Sequence, residues 1–468
     1  MLFNSLAFII LLIITFVLYY SPKVSKHQLS ILILSSLFFY AYQEPWLLLL
    51  LLLSAGINIT TSYYIVHKKA ENKRTLATLG VSLNLLILAF FKYSPLVSST
   101  FFSKDSSIAT FLFNVPLPIG ISFYTFEGIS LLVDVYRNKG LDYKEVISKS
   151  FIEYAKSILF FIAFFPHLIA GPILIANDFL PQIKPKLFKD INWNKAFKAI
   201  IIGYFLKMVV ADNLKDFTFY IEFPYFQGYG TFTLITMLLG YSCQIFADFA
   251  GYSLIAIGLA ELFGYQLAQN FNFPYISTSF KEFWKRWHIS LSKFLMEYLY
   301  FSLGGNKKGK VRTYINLMAT MTLGGLWHGA AWSYAIWGAF HGSALAIERF
   351  ISDHIKLQPS TLVLILKRII VFSFITFAWL LFKLPNFNDV IAYIEAICIN
   401  TAIEYDINIC TYIMIYASPV FFYHFIYLYQ KNKAILFILK YDYILYGFLL
   451  FLIITNSGAS GDFIYFQF

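Results

Sequence analysis

Charge is what this sequence has least of. Asp, Glu, Lys and Arg make up 13% of its 468 residues, where a soluble domain carries about 25%. With 59% of the residues hydrophobic and apolar runs recurring from end to end, a soluble fold is excluded. What remains is an all-α polytopic membrane protein. Acidic residues are the scarcer sign, 25 against 36 basic, for a net charge of +11. The cations cluster in short loops between apolar runs, so membrane topology explains them and no nucleic-acid partner is expected. Cysteine is also scarce. Cys243, Cys398 and Cys410 are far apart and form no CxxC pair, which argues against both a disulfide framework and a metal cluster. The first apolar run, 5–20, lacks a basic n-region and a small-residue cleavage site, so it reads as a retained span.

Taken in order, apolar spans are predicted near 5–20, 29–41, 46–66 and 76–92. The stretch PIGISFYTFEGISLLVDVYR follows, within Val115–Arg137. Glu127 and Asp134 make it a polar-lined span facing protein or water rather than lipid. Phe164–Ile173 reads FFPHLIAGPI, and its prolines and glycine imply a broken or re-entrant helix, tolerated only in protein or against a cavity. Spans near 196–211, 229–263 (one long or two short), 314–347, 361–383, 386–400, 409–429 and 435–455 complete the set. Residues 265–313 are too charged to cross and form an amphipathic platform. Cationic segments at Lys23–Lys26, Lys68–Arg74, Arg137–Lys149, Lys184–Lys198, Lys281–Arg312 and Lys431–Lys440 belong on the cytoplasmic side. The loops 212–228 and 401–408, and the tail after 455, then lie outside. One membrane domain over 1–455 and an extracytoplasmic tail over 456–468 are expected, in a multi-pass membrane protein.

The stretch from Ser279 to Gly342 mixes aromatics, lysines and histidines as no other part does. His328 stands between Trp327 and Gly329 in an apolar segment, where even a neutral imidazole needs hydrogen-bond partners. A histidine satisfied within a bundle is the competing explanation. The loop GGNKKGK, Gly304–Lys310, approaches the P-loop pattern. Val311 replaces the required Ser or Thr and no strand precedes it, so a nucleotide triphosphatase is rejected. Asp134, Glu127 and Asp248 read as structural partners of polar groups rather than catalysts.

WKRWHISLS, YLYFSLGGNKKG, NLMATMTLGGLWHGAAWSYAIWGAFHG, PIGISFYTFEGISLLVDVYR and FFPHLIAGPI resemble the membrane-bound O-acyltransferase (MBOAT) family. They are most similar to its bacterial branch that O-acetylates exported polysaccharides, alginate and peptidoglycan. The resemblance covers about residues 110–345. It implies a ring of about 11 tilted transmembrane helices around a central tunnel, with re-entrant and cytoplasmic amphipathic helices. It places His328 on the family's invariant histidine and His288 on its second active-site position. The donor it implies is acetyl-CoA, with no permanently bound cofactor and no metal. Lys307, Lys308, Lys310 and Arg312 could meet the coenzyme A phosphates, with plain membrane anchoring the alternative. Trp327, with Trp284, Trp287, Trp332 and Trp337, could wall the acyl path. The tail's FIYFQF, Phe463–Phe468, resembles the C-terminal motif of the small subunit that works with the teichoic-acid D-alanylation MBOAT, so Tyr465 is a candidate acyl carrier.

The implied function is transfer of acetyl groups to an exported cell-envelope glycan. Peptidoglycan is preferred over alginate or another exopolysaccharide because abundant Phe, Tyr, Ile and Lys suggest an AT-rich genome. An extracytoplasmic SGNH-type transferase is the expected partner. The alternative class is a transporter or channel for a lipid-linked or small substrate, which would also use broken helices, but no convincing internal repeat supports it.

Overall fold

The computed structural model describes residues 1–67, 70–103, 105–140, 150–169, 171–355, 360–429, 432, 441–459, 461 and 463–464. The cationic segments 141–149 and 433–440, and Tyr465 with the end of its motif, lie outside the described residues. All regular structure among the described residues is helical, with no strand. Among the described residues, five helices are long and apolar enough to cross a membrane: Leu47–His67, residues 72–101 within Ala70–Phe101, Thr231–Leu262, Thr361–Lys383 and Ile407–Leu428. A sixth is added if Leu6–Tyr20 and Ser25–Ala41, bent by 117°, count as one span. Some of the other expected spans fall on shorter helices, such as Phe387–Ile399 and Asp442–Thr455. The chain divides into two compact units.

One unit comprises Met1–Ile200 and Ile255–Ala268. Its Ile121–Arg137 helix is buried on nearly every side, as Glu127 and Asp134 demand. The broken segment follows sequence expectation. Helix Phe151–Ala163 stops at Phe164, and a single turn, Phe165–Leu168, carries His167. Glu127 Oε1 lies 3.1 Å from His167 Nδ1 and accepts the Leu174 N–H at 3.2 Å. A buried carboxylate thus satisfies backbone that the break set free. Asp134 accepts from Asn177 at 2.9 Å.

The other unit comprises Ile201–Leu254 and Gln269–Phe468. From 269 to 309 it holds only short helical pieces, including Phe280–Arg286, Ile289–Phe294 and a π-helical turn, Leu295–Tyr300. None could cross a bilayer. The segment expected as one span at 314–347 is instead two helices, Lys310–His328 and Trp332–His354, joined at Gly329–Ala331. They run antiparallel in close contact. A Cβ at Gly325 would lie 2.2 Å from the Tyr334 carbonyl oxygen, and one at Gly338 would lie 2.2 Å from that of Met321. Small residues let the backbones touch, which is how helices associate where lipid offers no hydrophobic drive. Gly-Ala-Ala breaks the helix without lowering its apolarity, so hydropathy alone runs straight through the turn.

Candidate active site

The hairpin decides where His328 stands. It is the last residue of the first arm, at the tip, and not the middle of a span. It is 3% exposed. Trp337 and Phe382 stand nearly edge-on to its ring at centroid distances of 5.2 and 5.3 Å, and Trp327 lies 5.1 Å away. Trp327 and Trp337 are buried with it, whereas Trp332 is 54% exposed. Of the five tryptophans considered for the acyl path, Trp332 therefore stands apart.

His288 caps the Ile289–Phe294 helix at φ +42° and ψ 57°. The left-handed region is costly for a residue other than glycine. Here it is held by Asn270. The Ile289 N–H donates to the Asn270 carbonyl at 2.9 Å. The Asn270 side-chain oxygen also accepts the Ser290 N–H at 3.3 Å and the Ser290 hydroxyl at 3.0 Å. The same oxygen lies 3.1 Å from His288 Nδ1. An atom that accepts a backbone N–H must be the amide oxygen, so His288 Nδ1 carries the proton and Nε2 the lone pair. The segment lies outside the membrane-spanning helices. Burial pushes the His288 imidazole down to about 3, so it is neutral near pH 7. The His288 and His328 rings are 6.4 Å apart. That leaves two imidazoles side by side in one buried aromatic cluster.

The structure does not bring the four cationic candidates here. Lys307, Lys308, Lys310 and Arg312 are all exposed. They sit on the Gly-Lys loop and the first turn of the helix that ends in His328. Asn316 ties the loop down by donating to the Gly305 carbonyl at 2.9 Å. At 1.5 Å per residue, Lys310 is about 27 Å along the axis from His328. His341 is buried against Trp337 and Trp284, with ring centroids at 4.6 and 5.1 Å. His424 is buried and lies 2.8 Å from the Val420 carbonyl oxygen through Nδ1. His27, His67 and His354 are exposed.

The tail returns to this unit. Phe463 is buried, with its ring 4.3 Å from Tyr252 and 5.8 Å from Phe249. Phe249 in turn stands edge-on to His288 at 4.6 Å. One aromatic ring therefore separates the tail from His288. Sequence reading missed Asn270 and Phe249, a lone amide and one phenylalanine among 52. Neither carries a local signal.

Two buried imidazoles side by side, one with its lone pair oriented, in a chain of several apolar helices are compatible with the class of membrane enzymes. Residues 37–388 match the membrane-bound O-acyltransferase family, and the chain belongs to it. It is accordingly an acyltransferase. It is 38% identical to a probable alginate O-acetylase of Pseudomonas aeruginosa over 82% of this chain and 72% of that protein. It is 34% identical to the peptidoglycan O-acetyltransferase of Helicobacter pylori over 78% of this chain and 72% of that protein. With the teichoic acid D-alanyltransferase of Bacillus subtilis it shares 29% identity over 58% and 69% respectively.

Proposed function

We propose that this protein is the membrane subunit of a bacterial O-acetyltransferase, passing acetyl groups from cytoplasmic acetyl-CoA to an exported cell-envelope glycan through the inner membrane. The observation that carries the reading is the His288–His328 pair, 6.4 Å apart in one buried pocket. Acyl transfer from a thioester needs a base for the attacking hydroxyl and a donor for the oxyanion. His328 takes the hydroxyl proton. The oxygen attacks the acetyl carbonyl, the C–S bond breaks, and coenzyme A leaves as the thiol after taking up the proton. His288, with its proton held by Asn270 and its lone pair on Nε2, faces the reacting group as an acceptor and not as the oxyanion donor.

The attacking hydroxyl in this reading is the phenol of Tyr465. Its acetyl ester is a reactive donor, because phenolate leaves more readily than alkoxide. The buried ring of Phe463, two residues earlier, supports the tail's access to the pocket. An SGNH-type extracytoplasmic transferase then takes the acetyl group from the tail and gives it to the glycan. The exposed cations Lys307, Lys308, Lys310 and Arg312, at the far end of the helix from His328, suit a first electrostatic contact with the coenzyme A phosphates and not their seat during transfer. Peptidoglycan is the acceptor favoured by residue usage. The similarity to the alginate O-acetylase of P. aeruginosa supports an exopolysaccharide as the second reading.

The decisive assay uses purified protein and acetyl-CoA labelled in the acetyl group. His328→Ala should lower release of coenzyme A by about 100-fold or more, the usual worth of a positioned general base. Equal rates in the two proteins sink the proposal. Acetyl content of peptidoglycan and of secreted polysaccharide, with and without the protein, then identifies the acceptor.

A further inference from the structure

Three ionisable side chains with no role in that chemistry are buried together beside the tail. Lys207 Nζ lies 2.8 Å from Asp212 Oδ1 and 2.8 Å from Asp248 Oδ1. Lys207, Asp212 and Asp248 are all less than 5% exposed. Taking three ions out of water costs several kcal/mol each, so such a cluster needs donors beyond its own ammonium. One ammonium facing two carboxylates leaves an excess of acceptors. The second oxygen of Asp248 relieves part of it by accepting the backbone N–H of Ile464 at 2.7 Å, whereas Asp212 Oδ2 finds no hydrogen-bond partner among the described residues. The bond from Ile464 is charge-assisted, shorter and stronger than a neutral one. Lys207 itself sits in a π-helical turn, Phe205–Ala211, a local distortion often found at functional sites.

The described tail residues are fitted to this place at several points. Asn213 donates to the Asn456 carbonyl at 3.0 Å, and the Gly458 N–H donates to the Met208 carbonyl at 2.9 Å. A Cβ at Gly458 would lie 2.7 Å from the Asp212 carbonyl carbon and 2.8 Å from the Asn213 nitrogen, so only glycine permits the approach. Ile464 then helps to line a cleft of about 600 Å³, together with Lys207, Asp212, Tyr241, Gln244 and Asp248.

We propose that Asp248, held in place by Lys207 and balanced by Asp212, is the clamp that seats the C-terminal tail in this cleft. Asp248 is a positioning residue. It fixes the amide of Ile464, the residue that precedes Tyr465 in the sequence. The inference rests on the Tyr465 reading for its purpose but not for its test.

The test measures tail seating directly. Ile464→Cys is made in a Cys398→Ser background, which removes the exposed native thiol and leaves the buried Cys243 and Cys410 as reporters of the fold. A water-soluble maleimide should label the residue-464 thiol slowly. Adding Asp248→Ala should raise that rate about tenfold or more, as expected for losing a hydrogen bond to a charged group, with Cys243 and Cys410 still protected. Unchanged labelling at residue 464 overturns the clamp. Should Asp248→Ala expose Cys243 as well, Asp248→Asn decides, since it keeps the shape but weakens the hold of Lys207. Faster labelling at residue 464 alone then supports the clamp, and an unchanged rate overturns it. Wild-type glycan acetylation in Tyr465→Phe would remove the relay while leaving this result intact.

Discussion

A single amide oxygen organises the site at the scale of residues. Asn270 accepts from His288, the Ser290 backbone and the Ser290 hydroxyl at once. It thereby fixes both the strained backbone and the tautomer of His288. Asn270→Ala leaves those donors without their acceptor and the ring free to turn. The acetyl-transfer rate should fall about 10- to 100-fold, within the range for general acid–base groups, with kcat carrying the loss rather than KM. Asn270→Asp restores the acceptor and separates orientation from folding. It also adds a negative charge beside an imidazole that burial holds at about 3. An adjacent carboxylate favours the charged imidazolium, so it raises that value. The acid limb of the pH–rate profile should therefore move to higher pH in Asn270→Asp. An unmoved limb would show that His288 does not act as a neutral group in the reaction. His288 and His328 were legible because they stand in Trp-rich motifs. Asn270 was not, because its role arises only when the chain folds it 18 residues forward onto His288.

The hairpin Lys310–His328 and Trp332–His354 is the element that places the chemistry. Hydropathy identified the apolar stretch and missed the turn, because Trp-His-Gly-Ala-Ala-Trp is as apolar as its flanks. The short pieces between 263 and 309 were legible from charge, and the broken helix at Phe164 from its prolines and glycine. The tight crossing of the arms makes a testable claim. A Cβ at residue 338 meets the Met321 carbonyl oxygen at 2.2 Å, so Gly338→Val forces the arms apart. It should cost about 1–3 kcal/mol, as overpacking does, and lower the thermal midpoint of the detergent-solubilised protein. The shift should come with loss of transfer, since His328 sits at the tip that moves. Gly447→Val is the control, because a Cβ there has nothing within 4 Å. If both variants melt alike, close helix contact does not hold the hairpin.

For the whole molecule, the task in the proposed function is to carry an acyl group from one face of a membrane to the other. The net charge of +11 and its confinement to short loops set the sidedness expected of the chain. A thioester that stays inside and a glycan that stays outside cannot meet, so some group must bear the acetyl between them. The tail was legible as a motif by resemblance. Its seating was not, because Asp248, Phe249 and Tyr252 lie more than 200 residues before Phe463 and look like ordinary helix residues. If Tyr465 is the carrier, the two half-reactions can be separated. Without the extracytoplasmic partner, labelled acetyl should accumulate on the protein and map to the C-terminal peptide as an ester cleaved by hydroxylamine. Tyr465→Phe should abolish both that label and glycan acetylation. His328→Ala should abolish both as well, because its step comes first. Glycan acetylation that persists in Tyr465→Phe would mean that the acceptor hydroxyl itself reaches His328, and the tail would then be a plug rather than a carrier.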